Sequence, residues 1–521
     1  MGIKRTHIFY FIFFGIVAWV LLSIAPLIRN AITNNKSTRE ITVTRARESN
    51  STTPAKKPAD EVVFKDAIFP ENFFFGTAYS DFQTAGLAPK SDWAVRWNEY
   101  SDILKKDSIA KKGLVRDPVH PGVANDLFNR YKEEYDLAGK YGITQVHRIS
   151  LEWARVEPEE GKWDFETVKK YKEIFSYMKS KGIEPMICLN HFPNPKWFAD
   201  LGGWENPKSE YYYEKYAEFL AKELGLALGI KWWLTFNEPQ FSIIVPYGNG
   251  TWPPFKGVQN FQDKDGFARM MQVASNILDG HRLAYRAIHR VLDKNQSKDH
   301  KIMVSFASAP GSFYPYDENS ALDKLADNAF NLIYSLALDS FVGNTDRDFI
   351  GLNYYGRARL KLHVSLGSYI LSWLTEERPF AIQWFGPETA SQGQRPKEFY
   401  PKGLYELILK FKDAGLPIVI TENGLSDPDD KFREEFLIIH LKAVHDAITA
   451  GIPVIGYQYW SLTDTWEPGD ASFSQFGFIE IDRQNNLQRK LRPSALIYRD
   501  IIRSKKISKE SLEKHKELLI Q

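Results

Sequence analysis

The sequence contains one cysteine, Cys188, in 521 residues. That scarcity excludes an internal disulfide framework and any cysteine-rich metal site. Cys188 falls inside a predicted strand and reads as core packing. The eleven histidines include no H-x-x-x-H or related spacing, so no metal or other cofactor is implied. His281 reads as a structural helix residue. A large charge of one sign is also missing, since 67 Lys and Arg stand against 65 Asp and Glu, for a formal +2. The excess is local: residues 1–60 carry nine basic and three acidic side chains, which leaves the other 461 residues at −4. A mildly acidic body gives no electrostatic footprint for nucleic acid. No repeat at solenoid periods is evident.

What is present is an ordinary globular composition, 43% hydrophobic and 25% charged, with 14% aromatic residues. Aromatics at that level suit large cores and flat apolar ligands, sugars among them. The one long hydrophobic run is Ile8 to Ile28, 21 residues without a charge. At about 1.5 Å per residue it spans the roughly 30 Å hydrocarbon core of a bilayer. It is longer than a signal-peptide core and no A-x-A-like site follows it, so it is expected to be an uncleaved single-pass anchor. Lys4 and Arg5 precede the run, while Arg29, Lys36, Arg39, Arg45 and Arg47 follow it. By the positive-inside rule that places the body on the cytoplasmic side. The expected organisation is an anchor over 1–29, a flexible polar linker over 30–64, one folded domain over 65–505 and a tail over 506–521. The tail reads either as a docked amphipathic helix or as a frayed end.

Short β-branched or aromatic runs alternate with longer amphipathic stretches. Strands are expected near Phe73–Ser80, Ile143–Trp153, Glu184–Phe192, Lys231–Glu238, Lys301–Ser308, Asp348–Gly356, Pro417–Asn423 and Val454–Leu462. Helical patterns fall between them, at Ala124–Tyr141, Phe165–Lys181, Ser209–Leu226, Phe267–Leu292, Ala321–Ser340, Lys431–Ala450 and Pro493–Arg503. Near-continuous apolar strands joined by helices argue a parallel sheet covered on its outer face. Eight such units argue an α/β fold, the (β/α)8 TIM barrel.

The C-terminal ends of these runs carry polar residues where a packing layer would not. Gln83, Arg148, His191, Asn237-Glu238, Asn353, Tyr355, Glu422-Asn423, Trp460 and Glu467 all fall there. A single polar residue at a rim is ordinary; so many on one rim mark the face where barrel enzymes build their sites. Glu238, in Thr235-Phe236-Asn237-Glu238-Pro239, and Glu422, in Thr421-Glu422-Asn423-Gly424, each close an apolar strand. Two facing carboxylates, one protonated and one ionised, are what glycoside cleavage needs. The fourth and seventh strands lie across the barrel mouth from each other, and a retaining separation of about 5–5.5 Å is expected.

On these two motifs the chain resembles glycoside hydrolase family 1, the β-glucosidase type, from about Phe73 to Tyr498. The resemblance implies Glu238 as acid/base and Glu422 as the nucleophile that forms a covalent glycosyl-enzyme. It implies Asn237 on the sugar 2-hydroxyl, and Arg148 and Tyr355 on Glu422. Gln83, His191, Asn353 and Glu467 would bind substrate, with Trp460 as the platform beneath the sugar ring. Departures are also visible: Thr465-Trp466-Glu467-Pro468 stands for the usual Asn-Phe-Glu-Trp, Phe192 for a common Trp, and Ala85 for a frequent Glu. Pro468 removes an indole donor from the sugar site. Within the family, the membrane-anchored plant galactolipid galactosyltransferases share the hydrophobic N-terminal segment and the stretches around Asn353-Tyr354-Tyr355 and Gly424-Leu425-Ser426-Asp427.

The expected function is therefore a membrane-tethered retaining β-glycosidase hydrolysing β-D-glucosides or galactosides. The alternative is a transglycosylase moving sugar between membrane glycolipids. A non-catalytic receptor on the same barrel would be expected to lack one glutamate, and both are here.

Overall fold

The structure, a computed structural model, describes residues 64–110, 119–260, 263–295, 301–311, 313–328, 331, 346–364, 380–385, 399–469 and 471–519. The anchor over 8–28 and nearly all of the 30–64 linker lie outside these residues. Among the described residues no helix is long and apolar enough to cross a membrane.

Eight parallel strands close a barrel. They are β1 Phe74–Ser80, β2 Val146–Ser150, β3 Glu184–Asn190, β4 Trp232–Asn237, β5 Met303–Ser308, β6 Ile350–Asn353, β7 Ile418–Asn423 and β8 Val454–Trp460. Neighbours follow chain order, and β8 pairs with both β7 and β1 to complete the ring. Each expected strand is thus a barrel strand, though shorter than its apolar run. Val146, Met186, Cys188, Trp232, Leu234, Met303, Ala307 and Val419 belong to one buried cluster that Phe74 and Ile455 also pack against. Drawn from all round the ring, that cluster is the packed interior expected of a (β/α)8 barrel. Cys188 is fully buried within it.

The helices between strands are α1 Leu127–Tyr141, α2 Phe165–Ser180, α3 Ser209–Leu220, α4 Lys264–Leu292, α5 Pro401–Leu409, α6 Arg433–Thr449 and α7 Pro493–Ser504. Their ends follow local chemistry. The Asp164 carboxylate accepts from the N–H groups of Glu166 and Thr167, and Asp263 accepts from that of Gly266. Such caps are worth about 1 kcal/mol each. Pro401 and Pro493 occupy first turns, where no N–H is required. The α4 face at Val273, Ile277, Gly280, Ala284 and Ile288 is buried, a helical period along its whole length.

Three boundaries differ from the sequence reading. α1 starts at Leu127, three residues late, because Ala124 and Asp126 have φ of 51° and 54°. Asn125 between them turns its amide to the Asp464 carbonyl oxygen, 2.6 Å away, so tertiary contact overrides helix propensity. The stretch ending at Leu226 is α-helical only to Leu220 and continues in π-type turns over Ala221–Leu226. Gly225 lies in those turns, where a Cβ would stand 2.8 Å from Leu292 Cδ2. After α7, Lys506–Ile507 pairs antiparallel with Ala67–Ile68, and Ser508 caps a short helix, Lys509–Lys514. Ile507 and Leu512 are fully buried. Of the helix expected over Ala321–Ser340, residues 321–328 and 331 are described and helical.

The described residues of 313–337 and 359–384 form, with Phe64, a compact unit separate from the barrel. Its described part holds 380–384, 359–364 and Phe313–Pro315, neighbouring strands of one sheet in that order. Arg359 and Lys361 place their cations 5.4 and 5.0 Å from the Tyr316 ring centre. All the rim residues named above belong to the barrel unit, which comprises 65–312, 338–358 and 385–521.

Candidate active site

Strand ends aim the two glutamates. Leu234 packs in the barrel interior, and a register shift between Leu234 and Asn237 then breaks the simple alternation. Phe236 consequently stacks outward on Tyr213, ring centres 4.6 Å apart, and Asn237 turns into the mouth. Glu238 follows with φ 45° and ψ 60°, a left-handed conformation costing a non-glycine residue about 1–2 kcal/mol. Its N–H donates to the Ala307 carbonyl at 2.8 Å, and Pro239 opens the next helix. A second register shift separates Ile420 from Glu422 on β7, which sets Glu422 level with Asn353 of β6. Gly424 then passes so close to β8 that a Cβ would lie 2.0 Å from the Trp460 carbonyl oxygen.

Arg148 is the centre of the rim. It is fully buried, donating through Nη1 to Asn237 Oδ1 at 2.7 Å and through Nη2 to Glu422 Oε1. Tyr355 donates its hydroxyl to the other oxygen, Glu422 Oε2, at 2.6 Å. Burial, and then the charge of Glu422, push the Tyr355 phenol far above its ordinary range, so it stays a donor. Asn353 Nδ2 bridges Asn237 Oδ1 at 3.1 Å and Glu238 Oε1 at 2.9 Å. Burial, reinforced by the negative charge of Glu422, raises Glu238 to about 8. A carboxyl of that kind is protonated at neutral pH.

The residues expected to face a sugar join the same network. Because Asn237 Oδ1 accepts from both Arg148 and Asn353, its amide nitrogen donates to His191 Nε2, 3.0 Å away. The imidazole proton therefore sits on Nδ1, and burial followed by the nearby Arg148 charge holds the ring neutral. Gln83 Nε2 donates to Glu467 Oε2 at 2.8 Å, while Trp460 Nε1 reaches Glu467 Oε1 at 3.3 Å. The Trp460 ring also lies 5.7 Å beneath the Arg148 guanidinium. All ten residues expected at the site thus join one connected set on the C-terminal face.

Three supports are absent from the set expected from the sequence. Thr421 Oγ1 donates to Asn353 Oδ1 at 2.7 Å, which fixes the amide so that its nitrogen faces Glu238. Thr465 Oγ1 donates to Glu467 Oε1 at 2.5 Å. Arg492 grips both oxygens of Asp464 at 2.7 and 2.9 Å and so pins the loop that carries Glu467. Only Thr465 had a signal, its place two residues before Glu467. Of the departures, Phe192 has φ 84°, and its ring lies 4.8 Å from that of Trp252. It packs against an aromatic cluster with Phe82, Trp93, Tyr100 and Trp466. His281 is held between Thr235 Oγ1 at 2.7 Å and the Asp346 carbonyl at 2.8 Å, a structural place behind β4. Among the described residues, no group of three or more His, Cys, Asp or Glu is arranged to hold a metal.

A closed parallel barrel with two unlike glutamates at the C-terminal ends of its fourth and seventh strands defines a barrel of the glycosidase class. Comparison narrows the class. The chain matches Glycosyl hydrolase family 1 over residues 65–345 and 337–507, and it belongs to that family. It is 30% identical over 400 residues to the chloroplastic galactolipid galactosyltransferase of Arabidopsis thaliana, covering 73% of this chain and 58% of that protein. The match spans 56% of a related β-glucosidase-like protein of Oryza sativa, so the chain covers little more than half the length of these two plant relatives. A β-galactosidase of Pyrococcus woesei is 27% identical over 528 residues, covering 85% of this chain and 98% of that one. Among solved structures, a β-glycosidase from Pyrococcus horikoshii superposes with a TM-score of 0.67 at 30% identity, covering 86% and 98% of the two chains.

Proposed function

We propose that this chain is a retaining β-glycosidase acting on β-D-glucosides or galactosides, tethered to a membrane by residues 8–28. The observation that carries the proposal is the unlike treatment of the two glutamates. Arg148 and Tyr355 donate to the two oxygens of Glu422, which orients that carboxylate at the mouth. Glu238, raised to about 8, holds its proton. In the first step the Glu422 carboxylate attacks the anomeric carbon while Glu238 gives its proton to the departing glycosidic oxygen. The carbon–oxygen bond breaks and a glycosyl ester forms on Glu422. The Glu238 carboxylate then takes a proton from water, whose oxygen attacks the same carbon and releases Glu422. Two inversions leave the β configuration.

Asn237, fixed between Arg148 and His191, is suited to hold the sugar 2-hydroxyl, and Trp460 to lie beneath the ring. Gln83, His191, Asn353 and Glu467 supply polar atoms for the remaining hydroxyls. A second reading keeps the first step and replaces water with a hydroxyl of a membrane glycolipid. It is supported by the similarity to the galactolipid galactosyltransferase of Arabidopsis thaliana. The cytoplasmic placement of the body follows from the charge flanking residues 8–28 and belongs to the same proposal.

The test is nitrophenol release from a panel of aryl β-glycosides by the full chain, beside Glu422→Ala and Glu238→Ala. Turnover that vanishes in Glu422→Ala supports the hydrolase. Folded protein without turnover in water, but with a lengthened sugar chain on an added glycolipid, supports transfer. Neither product would reject both readings.

A further inference from the structure

Below the rim, the barrel interior holds a polar group that the chemistry above does not use. Trp460, Ala78 and Arg148 occupy one level of the register across β8, β1 and β2, and Gln458, Gly76 and Val146 occupy the level beneath. The intervening strand offers only a methyl group and a glycine at these levels, so side chains of β8 and β2 meet across it. On the upper level that meeting is the stack of Arg148 on Trp460. On the lower level Gln458 fills the room left by Gly76. A Cβ on residue 76 would come within 3.1 Å of Gln458 Cγ and 2.2 Å of the Val146 carbonyl oxygen.

The Gln458 side chain is 0% exposed, and neither Oε1 nor Nε2 has a hydrogen-bond partner in the protein. Arg148 is equally buried. Its Nη1 and Nη2 are committed to Asn237 and Glu422, and its Nε, on the stem side of the guanidinium, also lacks a partner. Buried polar atoms are rarely left unmet, and where several converge they are bridged by ordered water. The cluster of Val146, Met186, Cys188 and Leu234 lines the same interior and offers no side-chain acceptor stronger than the sulfurs of Met186 and Cys188.

We propose that Gln458 is a positioning residue for the Arg148–Glu422 pair, acting through buried water that accepts the Arg148 Nε–H and donates to Gln458 Oε1. The inference rests on the reading of Glu422 as nucleophile. Two contacts define the guanidinium plane; the third stops it tilting away from Glu422 as the carboxylate moves onto the sugar.

Gln458→Met in the full chain keeps the side-chain length and removes both hydrogen-bonding atoms. The expected result is a melting temperature close to that of the unmodified chain. kcat on an aryl β-glycoside falls about 3–10-fold with KM unchanged, a loss of one ordinary hydrogen bond. The acid limb of the kcat/KM profile moves to higher pH. Gln458→Asn, which keeps an amide and leaves room for a second water, recovers part of the loss. Diffraction should show water within hydrogen-bond reach of both Gln458 and Arg148 Nε. An unchanged rate and pH profile in Gln458→Met overturns the proposal, as does an activity loss that only tracks a fall in melting temperature. If the unmodified chain neither turns over a β-glycoside nor lengthens a glycolipid, the reading of Glu422 fails, and the diffraction result alone decides whether Gln458 and Arg148 are linked: bridging water supports the link, its absence overturns it.

Discussion

Glu238 and Glu422 are the same side chain at the ends of two barrel strands, and they meet opposite surroundings. Glu422 is 4% exposed, with a guanidinium on one oxygen and a phenol on the other. Among the described residues Glu238 receives only the neutral amide of Asn353; it sits on a left-handed backbone and is raised to about 8 by burial and by Glu422 itself. The chemical division between them lies in what donates to each. A buried cation and a phenol donate to one carboxylate, and burial beside it keeps a proton on the other.

The largest break of this comparison is Glu422→Ala. Turnover should fall about 10⁵-fold, the loss of a covalent route. Added azide should restore part of it and yield the α-glycosyl azide, which NMR of the product distinguishes from the β form. Arg148→Met removes the cation and leaves Glu422 buried without it. kcat/KM should drop about 10³-fold and the melting temperature with it, since breaking a buried pair costs about 3–5 kcal/mol.

Glu238→Gln breaks the comparison from the other side. Substrates with poor leaving groups should lose about 10²-fold or more, while activated aryl glycosides lose less in glycosylation. In the unmodified chain kcat/KM should fall as pH rises through about 8, because the acid is lost there. That alkaline limb should disappear in Glu238→Gln. Tyr355→Phe leaves the guanidinium in place and removes one charge-assisted bond, so about a 10–100-fold decrease is expected. The smallest effect is on stability. The folded chain holds a proton on Glu238 that the unfolded chain, with an ordinary value of 4.5, gives up. This contribution is fully present below 4.5 and is lost as pH rises towards about 8. Melting curves of Glu238→Gln should therefore decline less between pH 5 and 8 than those of the unmodified chain.

The strands were readable because a buried parallel strand is a short apolar run of β-branched and aromatic residues, and the polar residue ending each run stood out against it. Asn237, Glu238 and Glu422 were legible for that reason, as were Arg148 and His191. The register shifts at Asn237 and Glu422 were not, because a bulge depends on the neighbouring strand. Thr421 was hidden by its position beside Glu422, where a threonine in a strand needs no special explanation. Gln458, among the aromatics of β8, carried no mark of being unpartnered. The start of α1 was misplaced because the demand on Asn125 comes from Asp464, 339 residues away.

What the sequence by itself determined is the alternation of strand and helix, the closure into eight units, and the polar set on one rim. These follow from local periodicity, which each segment carries in its own residues. Only the tertiary structure decided which atoms of that rim face one another. Gln83 reaches Glu467 across 384 residues and Arg148 reaches Glu422 across 274. Such pairings exist only in the closed ring, which brings the strand ends together. The proton on Glu238 depends on burial and on Glu422, far away in the chain, so the difference between two identical side chains belongs to the folded barrel.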